Sequence, residues 1–166
     1  MKNNIVKTIT INAIVATIYF LLTFLSPISF GGVQLRLAEV LVLLCFFRRD
    51  FTFGCTIGCL LSNLFSPLMP WDLLFGTLGT LLSCLAISLC RHLFLATLFP
   101  VVINALVVGG ELAIIMNEPF WVNVGMVAAG EFIAVSLLGY GLFWILKNNR
   151  TFFVSIGAKK NTNFKW

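Results

Sequence analysis

Long apolar runs separated by short polar punctuation leave this chain little choice of architecture. Hydrophobic residues make up 60% of its 166 residues and charged residues 10%. A soluble domain is about half apolar and a quarter charged. A membrane-spanning helix needs about 20 apolar residues, so the length accommodates about six spans with short loops. The breaks fall at Ser26-Pro27, Arg48-Arg49-Asp50, Pro67 to Pro70, Arg91-His92, Asn117-Glu118-Pro119 and Lys147. They predict spans over 8–25, 33–47, 51–66, 71–90, 93–116 and 120–146. The expectation is an all-α integral membrane protein: one six-helix domain over 1–147, then a basic tail over 148–166. The first run is long and lacks a small-residue cleavage site, so it reads as a retained span rather than a secretory signal.

Six spans put both termini on one side, and the basic residues say which. Lys2, Lys7, Arg48, Arg49, Arg91, Lys147, Arg150, Lys159, Lys160 and Lys165 fall on the terminal side; of the 11 bases only Arg36 lies opposite. Cytoplasmic loops carry the excess of Lys and Arg, so a cell-membrane protein with cytoplasmic termini is expected. The net charge of +5 is explained by those loops and does not call for nucleic acid.

The acids are the informative residues, because a carboxylate inside a span costs roughly 2.5–3.5 kcal/mol on insertion scales and usually has a task. Glu39 and Asp72 stand at the outer ends of their spans. Glu111 lies about 9 Å deep and Glu131 roughly 17 Å deep, at about 1.5 Å per residue. The cytoplasmic halves of the spans carry no acid. This one-sidedness predicts a cup open to the outside, the pattern of a receptor rather than a pore.

Each constellation has a plainer counterpart. Arg36 and Glu39, three apart, can pair locally or present Glu39 to a ligand with Arg36 orienting it. Glu111 and Glu131 have no base four residues away. They are either protonated and bonded across helices, or partners of a cation or of a base edge rich in N–H donors. Asn63, Asn104 and Asn123 can be interhelical glue. Asp72 can cap its helix. Phe30 and Trp71 flank the cup, where stacking on a flat ligand competes with membership of an interfacial aromatic belt. Gly54-x-x-x-Gly58 and the small residues Asn12, Ala13, Ala16 and Thr17 serve either close packing within the bundle or docking of a second membrane protein. The five cysteines read as small buried hydrophobes, and neither a metal nor a cofactor is expected. No P-loop, H-E-x-x-H or G-x-S-x-G occurs, and His92 is remote from the acids. The chain is therefore not expected to be an enzyme, and uptake through it needs energy from elsewhere.

Several segments together resemble a known family. These are Gln34-x-Arg36-x-x-Glu39; Gly58-Cys59-x-x-Ser62-Asn63-Leu64-Phe65-Ser66; Trp71-Asp72-x-x-Phe75-Gly76-Thr77-Leu78-x-Thr80-Leu81; Asn104-Ala105-x-x-Val108-Gly109 with Glu111-Leu112; and Gly130-Glu131. They are similar to the QueT family, substrate-binding (S) components of energy-coupling factor transporters for queuosine precursors. The resemblance implies a six-helix bundle with an outward pocket and cytoplasmic termini. It implies a membrane coupling protein and two ATPase subunits as partners, and a 7-deazaguanine such as 7-aminomethyl-7-deazaguanine or queuine as ligand. On it, Gln34, Arg36, Glu39, Asn63, Trp71, Asp72, Asn104, Glu111 and Glu131 are the substrate-binding candidates. Which acid meets which end of the ligand stays open. The sequence departs from the family at Ala38, where Ser is common. It departs also on the first span, where an Ala-x-x-x-Ala docking face is replaced by Asn12/Ala16 or Ala13/Thr17. The alternatives are an S component for a different vitamin and a proton-coupled porter relaying through Glu131.

Overall fold

A computed structural model describes residues 2–26 and 35–158. Seven helices account for most of them, and no strand occurs among the described residues. They are α1 (Lys2–Phe24), α2 (Leu37–Phe47), α3 (Phe51–Asn63), α4 (Trp71–Leu89), α5 (Leu93–Met116), α6 (Phe120–Leu146) and α7 (Arg150–Ser155). Four of them, α1, α4, α5 and α6, are long and apolar enough to cross a membrane. The remaining two apolar helices are shorter than expected. α3 stops at Asn63 rather than near 66, and α2 begins at Leu37, with Arg36 in an extended conformation just before it. Helix length alone therefore supports four spans, not six. The physical reason lies at the helix ends. Ser66 turns back on itself, its hydroxyl accepting from the Leu68 N–H at 3.1 Å and donating to Asp72, and such local bonds compete with helix continuation.

The surface and interior are the inverse of a soluble protein's. Ile9, Leu21, Phe53, Leu74, Leu89, Ile114, Trp121 and Ile145 are exposed, while Glu39, Asn63, Asp72, Asn104, Glu111 and Glu131 are buried. Apolar exposure on this scale suits lipid, not water. In lipid the helices gain no hydrophobic drive to associate, so packing and interhelical hydrogen bonds must hold them.

α2 runs through the middle. Its residues Ala38, Glu39 and Val42 to Phe47 are all buried. Its first stretch, Leu37–Leu43, is a 3-10 helix that packs on a π-helical stretch of α6, Phe132–Gly139. Around this axis α1 packs on α3, α3 on α4, α4 on α5 and α5 on α6. The α1–α3 crossing is made close by glycine. A Cβ on Gly58 would lie 2.7 Å from Tyr19 Cβ and 2.8 Å from the Ala16 carbonyl oxygen. Gly54 donates its N–H to Asn12 Oδ1 at 3.0 Å.

At one end of the bundle Arg48 ties the first turns of α1 to the residues just after α7. Its guanidinium donates to Asp50 Oδ1 at 2.8 Å, to the Ile156 carbonyl at 2.7 Å and to Thr8 Oγ1 at 3.3 Å, and lies over the Phe51 ring. Phe47, Phe143, Phe152 and Phe153 form an aromatic cluster beside it. One turn further in, Cys45, Cys55 and Cys84 meet within 4.8 Å of one another, part of the apolar core between α2, α3 and α4.

Candidate functional site

The polar interior is assembled from five helices around α2. Arg36, extended just before α2, and Glu39, in its first turn, are both buried at the start of that helix. Arg36 Nη2 lies 3.8 Å from Asp72 Oδ1, both side chains buried. Asp72 is fixed from its other side. Ser66 donates to Asp72 Oδ2, and Asn63 Nδ2 donates to the Asp72 carbonyl at 2.8 Å and to Thr77 Oγ1 at 3.4 Å. Asp72 thus opens α4 while acting as one wall of a polar site, not simply as a helix cap.

Glu39 is held by two helices. The Tyr19 hydroxyl of α1 and Thr80 Oγ1 of α4 (3.1 Å) both donate to Glu39 Oε1. Glu131, on α6, receives a bond from Asn104 Nδ2 of α5 on its Oε1 at 2.8 Å. Room for Asn104 comes from Gly79, where a Cβ would sit 2.5 Å from Asn104 Oδ1. Glu131 lies within electrostatic reach of Glu39 and Arg36, and Glu111 faces Asp72 and Arg36.

One regularity runs through these contacts. Glu39 and Glu131 each have one oxygen secured by the protein. The other, Glu39 Oε2 or Glu131 Oε2, accepts no hydrogen bond from a described residue. Glu111 accepts from no donor at either oxygen, though it lies within hydrogen-bonding reach of the Asp72 carboxyl group, and Asn63 Oδ1 and Asn104 Oδ1 accept from none. All of these atoms are acceptors. A buried acceptor without a donor costs about 1–3 kcal/mol, more when charged, a cost that a group bringing donors would relieve. The charges agree: four buried carboxyl groups surround one buried guanidinium among the described residues.

The candidates divide as follows. Arg36, Glu39, Asn63, Asp72, Asn104, Glu111 and Glu131 are brought together. Trp71 is half exposed and stacks on Phe75 at a centroid distance of 6.2 Å, at the rim. Gln34 and Phe30 lie outside the described residues. Asn123 bonds back to the Pro119 carbonyl at 3.3 Å within its own helix rather than between helices. Of the four small residues on α1, Asn12 and Ala16 face α3 and serve the bundle's own packing. Ala13 and Thr17 are exposed. Tyr19, Ser66 and Thr80 contribute without having been among the site candidates, although Ser66 and Thr80 stand in the family-like segments. An isolated Tyr facing the Gly58 side of α1 was the available signal for the first.

A lipid-exposed helical exterior around a polar, acceptor-rich interior is the build of a membrane transport protein. The comparisons specify which kind. The family described as QueT transporter matches residues 9–148. The chain is 32% identical over 155 residues to the Queuosine precursor transporter QueT of Lactococcus lactis subsp. cremoris (strain MG1363), covering 81% of this chain and 89% of that protein. The chain belongs to the QueT transporter family, whose members are transporters rather than enzymes. No solved structure matches it.

Proposed function

We propose that this chain is the substrate-binding component of an energy-coupling factor transporter and captures a queuosine precursor, a 7-deazaguanine, from outside the cell. The observation that carries the reading is the set of buried acceptors without donors: Glu39 Oε2, both oxygens of Glu111, Glu131 Oε2, Asn63 Oδ1 and Asn104 Oδ1. A 7-deazaguanine offers N–H donors along its pyrimidine edge, and its aminomethyl form adds a cation. Carboxylates accept both kinds of donor in short charge-assisted bonds. The name of the Lactococcus relative supports the same ligand class.

In this reading α2 and α3 traverse the membrane together with their flanking loops, completing six crossings. Both termini then lie in the cytoplasm, on the side of Arg48, Arg49, Arg91 and Lys147. The acid cluster opens outward. The chain carries no nucleotide-binding motif, so the work of transport falls to a membrane coupling protein and two ATPases. On α1 the exposed Ala13/Thr17 register remains free for docking, whereas Asn12/Ala16 is occupied by α3.

Native mass spectrometry tests the ligand class. The purified protein is offered an equimolar mixture of 7-aminomethyl-7-deazaguanine, riboflavin and thiamine. Retention of the deazaguanine alone is the expected result; retention of riboflavin or thiamine instead overturns the assignment.

A further inference from the structure

The polar interior is layered, and the layers differ in what they can bind. In the outer layer Glu111 faces Asp72 and Arg36. In the inner layer Thr80 bonds Glu39 and Asn104 bonds Glu131, with the two acids within electrostatic reach of each other. Thr80 lies roughly 12 Å further along α4 than Asp72, and Asn104 about 10 Å further along α5 than Glu111, at about 1.5 Å per residue. A fused bicycle with a one-carbon amine arm, bonded at both ends, has this order of reach.

Glu111 accepts from no donor at either oxygen among the described residues, and it lies within hydrogen-bonding reach of the Asp72 carboxyl group. A planar carboxylate in that state accepts two parallel N–H bonds, the pattern offered by a ring N–H beside an exocyclic amine. Glu39 and Glu131 each retain a single unbonded oxygen, from different helices. Two single acceptors supplied by different helices suit a tetrahedral ammonium better than a flat edge.

Resting on the ligand class proposed above, we infer that the ligand binds in one polarity: its guanine-like N1–H/2-amino edge on Glu111, its aminomethyl ammonium on Glu39 and Glu131. Glu111 then selects the base edge, and the Glu39–Glu131 pair selects the cationic arm.

Calorimetric titration with three probes tests this. The probes are 7-aminomethyl-7-deazaguanine, its 7-methyl analogue lacking the amine, and its analogue lacking the 2-amino group. Glu131→Gln should weaken the aminomethyl compound about 10- to 100-fold, the span expected for a charged hydrogen bond, and the 7-methyl analogue less than about threefold. Glu111→Gln should weaken both of these by about 10- to 100-fold, and the 2-desamino analogue far less. The crossed pattern, with Glu111 sensitive to the amine and Glu131 to the 2-amino group, overturns the polarity while leaving the ligand class intact. Wild-type protein that binds none of the probes overturns the ligand class and the polarity with it. Both substitutions are isosteric, and unchanged thermal unfolding in detergent establishes that each variant is folded. The probe comparison on wild-type protein is independent of either variant.

Discussion

Tyr19 and Thr80 decide what Glu39 can do, although neither is charged. Both donate to the same oxygen, Oε1, which fixes the carboxylate plane and leaves Oε2 for a ligand. Removing one donor lets the carboxyl group rotate. Tyr19→Phe and Thr80→Val are each expected to weaken ligand binding about tenfold, ~1.4 kcal/mol, as measured by titration. The double variant should lose more than either alone. Affinity unchanged in both single variants would show that Glu39 is not a ligand contact. Of this arrangement the sequence exposed half. The acids stood out because charge in an apolar run is costly and easily seen. Their hydroxyl partners did not, because Tyr, Ser and Thr are common in spans and acquire a role only when another helix is placed against them. Ala16 and Asn12 show the converse: small residues at a four-residue spacing announce close packing but not the partner, which proved to be α3.

Helices whose ends carry strong chemical punctuation follow the sequence expectation closely. α5 and α6 have the bounds that Arg91-His92, Asn117-Glu118-Pro119 and Lys147 imply, and Asn117 closes α5 in the left-handed region at φ 53°. α2 departs because nothing in 33–47 distinguishes a tight 3-10 stretch from an α-helix; that choice is made by the burial of Ala38, Glu39, Val42 and Leu43 and by contact with the π-helical stretch of α6. The α1–α3 crossing yields a prediction at this scale. Gly58→Val puts a branched side chain where a Cβ alone would already be 2.7 Å from Tyr19 Cβ. Overpacking of this kind costs about 1–3 kcal/mol. The expected outcome is a lowered unfolding temperature in detergent together with weaker ligand binding, because Tyr19 moves with α1. A variant as stable and as tight as wild type would show that the crossing is looser than described.

At the scale of the whole molecule, the apolar exterior, the acid cluster displaced toward one end and the Arg48 tie at the other define an asymmetric body. The function argued for it requires that asymmetry to be oriented. Single cysteines introduced at Asn117 and at Asn148, in an otherwise cysteine-free background, test it in intact cells. An impermeant thiol reagent should label position 117 and spare position 148. Labelling of 148 alone would place the acid cluster on the cytoplasmic side and remove the case for an uptake receptor.

A structure of the protein with 7-aminomethyl-7-deazaguanine bound reaches the central claim most directly. The heterocycle should lie among α2, α4, α5 and α6, with donors on the oxygens of Glu39, Glu111 and Glu131 that are unbonded without it. Density for the compound elsewhere, with those oxygens still lacking donors, would contradict the account.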